Sequence, residues 1–144
     1  MIEKDTVRLL RECDAGIKMG ISSLEDVIPY ATSSELRTML YDAKCEHEKM
    51  AKSAEELLNE YEDKGKNVNP IVRGVSFMKT EAKLMVNGSD KTVASLMTDG
   101  CNMGIKSLSS YLNEYKAADE RSRDLARNVI DIEHRLMMGM RSYL

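Results

Sequence analysis

Two histidines and the carboxylates beside them are the residues best suited to chemistry in this chain. Each histidine follows a glutamate, in Glu46-His47 and Glu133-His134. Imidazole and carboxylate groups are the donors of metal sites built inside helical bundles. His47, Glu133 and His134, with Asp131 three residues before His134, are therefore the candidate metal ligands. A second reading of the same residues needs no metal. His47 stands on an apolar stripe between Ala43 and Met50, and Glu133 points near the middle of its own stripe. A carboxylate on a core face is costly unless it is paired. His47 and Glu133 are thus expected to meet at mid-bundle as a hydrogen-bonded pair.

Cysteines offer a further donor set. Cys13 and Cys101 both fall on apolar helix faces, the first near the level of His47 and the second near that of Glu133 or His134. Cys, Cys, His and Glu are acceptable zinc ligands. Zinc sites usually carry close ligand pairs, whereas these four residues are scattered, and a buried free thiol also packs as a small hydrophobe. No phosphate loop, dinucleotide turn or nucleophile elbow occurs, so no catalytic residue and no bound organic cofactor is assigned.

The elements that must position these residues are helices, and they recur. Cys13-Asp14-Ala15-Gly16-Ile17-Lys18 returns as Cys101-Asn102-Met103-Gly104-Ile105-Lys106, an offset of 88, and Glu-His returns at an offset of 87. Landmarks repeated in order imply two copies of one helical hairpin. The first helix runs over about residues 3–28, where Val7, Leu10, Ile17, Ile21, Leu24 and Ile28 form one stripe. Pro29 disfavours helix just before it. Thr32-Ser33-Ser34-Glu35 reads as a capping box, with the hydroxyl of Thr32 first and Glu35 three residues on. Leu36, Leu40, Ala43, His47, Met50, Ala54, Leu57 and Tyr61 then step by four and three, the seam of a packed bundle. Gly65 is a stop, and Asn69-Pro70 starts a short helix over about 70–86 that Asn87-Gly88 breaks. Two more helices follow, over about 90–116 and 120–142, with Ser89 and Asp119 placed to cap them. Gly16, Gly20, Gly100 and Gly104 lie inside helices, where each costs about 1 kcal/mol against Ala, and close helix approach is the expected reason.

Composition narrows the class. At 144 residues the chain reads as a single domain, 1–144, with hairpins at 3–63 and 90–143 joined by a crossover at 64–89. A net charge of −3 gives no reason to expect nucleic acid or an anionic membrane as partner. No long apolar run suggests a membrane span, and Met1-Ile2-Glu3-Lys4-Asp5 is not the start of a signal peptide. Three cysteines, an odd count, fit a reducing cytoplasm better than a disulfide framework. Eleven methionines and one phenylalanine imply an adaptable aliphatic core.

Two hairpins, a long crossover and the Glu-His landmarks together resemble the ferritin-like superfamily of four-helix bundles. The resemblance is strongest to a small bacterial ferritin-like family of unknown function, which carries a Cys-x-x-Gly-Glu motif on the first helix of each hairpin. Here Cys13-Asp14-Ala15-Gly16 and Cys101-Asn102-Met103-Gly104 match it, and Ile17 and Ile105 replace its Glu. Lys44 and Asp131 stand where di-iron bundles have the Glu of Glu-x-x-His. Two functions follow as expectations. One is a non-enzymatic, structural or partner-binding ferritin-like bundle, with a homodimer as one open arrangement. The other is a divergent iron- or manganese-binding bundle of oxidase or storage type, using His47, Glu133, His134 and Asp131. Ile17 and Ile105 are expected to face the interior.

Overall fold

The computed structural model describes residues 2–61 and 89–144. The expected crossover at 64–89, apart from Ser89, and its short helix lie outside these residues. Four long helices make an all-α bundle: α1 (Ile2–Val27), α2 (Ser34–Glu60), α3 (Asp90–Glu114) and α4 (Glu120–Met140). Helix α1 stops where the sequence says it must. Pro29 sits in a single 3-10 turn over Ile28–Tyr30, after which the chain extends at Ala31. No described helix is long and apolar enough to cross a membrane.

Polar clamps at each end fix how the hairpins meet. At the end where α1 finishes, the Asp90 carboxylate accepts from the Thr32 backbone N–H at 2.7 Å, the Thr32 hydroxyl at 2.9 Å and the Ser33 N–H at 3.0 Å. Those bonds hold its carboxyl below the usual range, the Thr32 backbone bond contributing most. They also correct the expected capping box. Thr32 is taken by Asp90, so Ser33 caps α2, accepting from Leu36 N at 3.3 Å. At the opposite end Asp119 caps α4 from Ser122 N at 2.9 Å, accepts from the Tyr61 hydroxyl at 2.9 Å, and donates its own N–H to Thr6 at 2.8 Å. Ser89 stands at the start of α3 but makes no side-chain cap bond.

The clamps give the direction of each helix. Helix α3 starts beside the end of α1, and α4 starts beside the end of α2, so α1 and α4 run one way and α2 and α3 the other. Around the bundle the neighbours are α1 with α2, α2 with α4, α4 with α3, and α3 with α1. Helix α2 therefore ends at the far end of the bundle from the start of α3.

The interior is two apolar clusters. One gathers Leu24, Val27, Leu36, Leu40, Val93, Met97 and Met140 near the Asp90 clamp. The other gathers Leu9, Leu10, Cys13, Ile17, Leu58, Leu108 and Val129 toward the Asp119 clamp. Leu9, Leu10, Leu24, Leu36 and Leu40 are fully buried. Each such side chain contributes about 1.5–3 kcal/mol. Ile17 lies in the core as expected, while Ile105 is only half-buried and joins neither cluster. Between the clusters lies a polar layer.

A histidine–glutamate pair at the floor of a groove

The polar layer is His47 from α2 and Glu133 from α4, the two positions that both seams carry to mid-bundle. His47 Nδ1 donates to the Ala43 carbonyl at 2.7 Å, one helical turn back. A carbonyl can only accept, so this bond fixes a proton on Nδ1. His47 Nε2 faces Glu133 Oε1 at 2.6 Å. Burial alone would discharge the imidazole, but the Glu133 hydrogen bond and its negative charge outweigh burial and hold His47 above its ordinary value of 6.5. The direction of that shift favours the imidazolium, with Nε2 donating to Glu133. Both side chains are buried, His47 at 1% exposure and Glu133 at 8%.

Helix α1 makes room for the ring by lacking a side chain. A Cβ on Gly20 would stand 2.8 Å from His47 Cδ2 and 2.9 Å from Nε2. Across from it, a Cβ on Gly104 of α3 would make ordinary contact with the Glu133 carboxyl carbon at 3.7 Å. Gly16 behaves differently: among the described residues, a Cβ there would meet nothing within 4 Å. Close helix approach, expected for these glycines, is thus replaced by a ring under Gly20 and open space beside Gly16. At this level the imidazole of α2 reaches α1.

A cavity of about 300 Å³ lies between residues of α1 and α3, with His47 and Glu133 in its lining. Its walls follow the offset of 88. Gly16 matches Gly104 in the repeat, and Glu12, Ala15, Met19, Gly20 and Ser23 on α1 have Gly100, Met103, Ser107, Leu108 and Tyr111 as counterparts on α3. Sequence reasoning missed this lining. The available signal was the in-register recurrence of small residues on both helices, which by itself also describes tight packing.

The remaining candidates are elsewhere or held inert. His134 and Asp131 are exposed on the outer face of α4, beside the surface ion pair of Arg135 and Glu46 at 3.0 Å. The structure thus brings together two of the four metal candidates, His47 and Glu133. Among the described residues, no group of three or more His, Cys, Asp or Glu is arranged to hold a metal ion. Cys101 lies against Glu133. Burial first, then the charge and hydrogen bond of Glu133, push its thiol far above the ordinary range. Cys13 sits in the lower apolar cluster, and burial, with the charges of Glu12 and Asp14, pushes its thiol up to about 12.

Burial on α2 and α4 matches at an offset of 86, not the 87 of the Glu-His repeat. Leu36, Leu40, Ala43, His47 and Ala54 correspond in burial to Ser122, Ala126, Val129, Glu133 and Met140. One step along a helix is a rotation of about 100°, enough to carry His134 out of the core and Glu133 into it. No family model matches the chain, and no curated protein or solved structure matches it either.

Proposed function

We propose that this chain is a non-enzymatic, ferritin-like bundle of two repeated hairpins, and that it acts by holding a partner molecule in the groove between α1 and α3. The observation that carries the reading is the groove itself: a cavity of about 300 Å³ that ends on a buried ion pair. Ligand sites are concave, mostly apolar, and supplied with a few placed polar groups. The helix directions support the ferritin-like assignment, because α2 ends at the far end of the bundle from the start of α3, as in those folds.

The groups present favour binding over catalysis. Both imidazole nitrogens of His47 are engaged, one by Ala43 and one by Glu133, which leaves no free base at the floor. The two buried thiols are held protonated, so neither is a ready nucleophile. A second reading, an iron or manganese site, draws on the adjacency of His47 and Glu133 at 2.6 Å. Their mutual bond and the outward placement of His134 and Asp131 leave it short of donors.

A small-fragment screen by thermal shift and saturation-transfer NMR tests the proposal. Fragments are expected to bind the wild type and to be lost in Gly16→Met, which fills the groove from a position with free space. Fragments that bind both proteins alike, or none that bind the wild type, would refute it. Melts with added Fe²⁺ or Mn²⁺ separate the second reading: a raised midpoint supports metal, an unchanged one supports the groove.

A further inference from the structure

The groove's lining also says what kind of molecule fits it. Among the described residues its charged groups are Glu12, Glu133 and His47, and none stands alone. Glu133 and His47 are bonded to each other, the second ring nitrogen of His47 is taken by Ala43, and Glu12 is held in an interaction of its own. A charged occupant would bring its charge among Met19, Leu24, Met97 and Leu108, and no described residue of the lining offers it an unmatched opposite charge. Burying an unpaired charge is costly, so the walls favour an uncharged occupant. The volume sets its scale. An apolar cavity of about 150 Å³ accepts benzene. The groove has about 300 Å³, room for a ring and a short substituent.

Ser23 adds a polar requirement. It stands on α1 three residues beyond Gly20, is 5% exposed, and lines the groove. A helical hydroxyl can bond back to the carbonyl four residues earlier, as Thr98 does to Ala94 at 2.7 Å. Ser23 makes no such bond, and no other described residue is its hydrogen-bond partner. A buried hydroxyl left without a partner is unfavourable, and serine can both donate and accept. One oxygen on the occupant would satisfy it. Gly16 marks the room for the rest of that molecule. Glycine in a helix interior is costly against alanine. Among the described residues no atom lies within 4 Å of where its Cβ would stand, so packing among them does not require the glycine. What a side chain there would occupy is the groove.

We propose that the groove holds a small uncharged molecule with an apolar body and one hydroxyl or carbonyl oxygen, which hydrogen-bonds to Ser23. The assignment rests on the groove-binding reading above and adds the chemical class of the ligand to it. Benzyl alcohol, toluene, benzylamine and benzoate test it, because they share a ring and differ in charge or in the oxygen. Each is titrated into the full chain at neutral pH and followed by saturation-transfer NMR and thermal shift. Benzyl alcohol is expected to bind at least about tenfold more tightly than benzylamine or benzoate. Ser23→Ala should weaken benzyl alcohol about fivefold and leave toluene unchanged, while Gly16→Met should abolish both. Ser23→Ala loses no bond to a described residue, so its melting midpoint should not fall. Benzylamine or benzoate binding as tightly as the alcohol overturns the uncharged assignment and leaves the groove standing. Ser23→Ala changing the alcohol and toluene alike, or changing neither, overturns the part given to Ser23. No binding by any probe, or alcohol binding unaffected by Gly16→Met, overturns the groove reading as well.

Discussion

Replacing His47 by leucine isolates the polar layer. The substitution keeps much of the side-chain volume and deletes both imidazole bonds, at 2.7 Å to Ala43 and 2.6 Å to Glu133. The Ala43 carbonyl is a modest loss, about 1 kcal/mol. Glu133 is the larger one. Its carboxylate, 8% exposed, would remain between two apolar clusters with no cation beside it. Breaking one partner of a buried pair costs about 3–5 kcal/mol. For a chain of this size that lowers the melting midpoint by roughly 10–15 °C. Replacing both residues, His47→Leu with Glu133→Leu, removes the stranded charge and should recover most of the loss. Urea denaturation of wild type, single and double variants measures all three. A single variant within about 1 kcal/mol of wild type would show that the pair carries little. A double variant as unstable as the single would show that the loss was one of shape, and the ion-pair reasoning would fail.

The same pair sets a pH response. His47 is held above its ordinary 6.5, so the folded state keeps a proton that the unfolded chain releases. That contribution is full below pH 6.5 and is lost as pH rises through the folded value. Wild-type stability should therefore decline as pH rises above 6.5, and the decline should be absent in the double leucine variant. The glycines should part company: Gly16→Ala gains up to about 1 kcal/mol in urea melts, while Gly20→Ala loses stability by driving a methyl group into the His47 ring. Asp119→Ala should cost about 1–2 kcal/mol, since it removes the α4 cap and the Tyr61 bond together. Burial raises the Asp119 carboxyl but the Ser122 and Tyr61 bonds win and lower it, so this contribution is present above pH 3.8 and fades as pH falls through the folded value. Iodoacetamide should label half-buried Cys45 in the native protein and reach the buried Cys13 and Cys101 only after unfolding, as mass spectrometry of the digest would show.

Local rules made the helices legible. Pro29 ended α1 within one residue of the expected place, and the four-and-three spacing from Leu36 to Ala54 located the seam that buries His47. The pairing with Glu133 followed from two stripes and one cost, that of a lone buried carboxylate. The cap of α2 was misplaced by one residue because two hydroxyls stand side by side. The choice between them is made by Asp90, 58 positions away from Thr32, and no local pattern carries that information. The groove was illegible for a related reason. Small residues on facing helices permit either contact or a gap. Here the His47 ring, which arrives from α2, lies against Gly20.

An identity in sequence can also mislead where a rotation decides. Glu133-His134 copies Glu46-His47 letter for letter, yet the buried partner of His47 is Glu133, at an offset of 86. The consequence is chemical. If two hairpins met through a perfect twofold with identical residues at this contact, the layer would hold two imidazoles or two carboxylates. Like charges at hydrogen-bond distance cannot both stay ionised, and one would lose its charge. Because the two hairpins of one chain differ, one position supplies the base and the other the acid. The proposed repeat thus has matching walls, Gly16 against Gly104, above a floor that does not match.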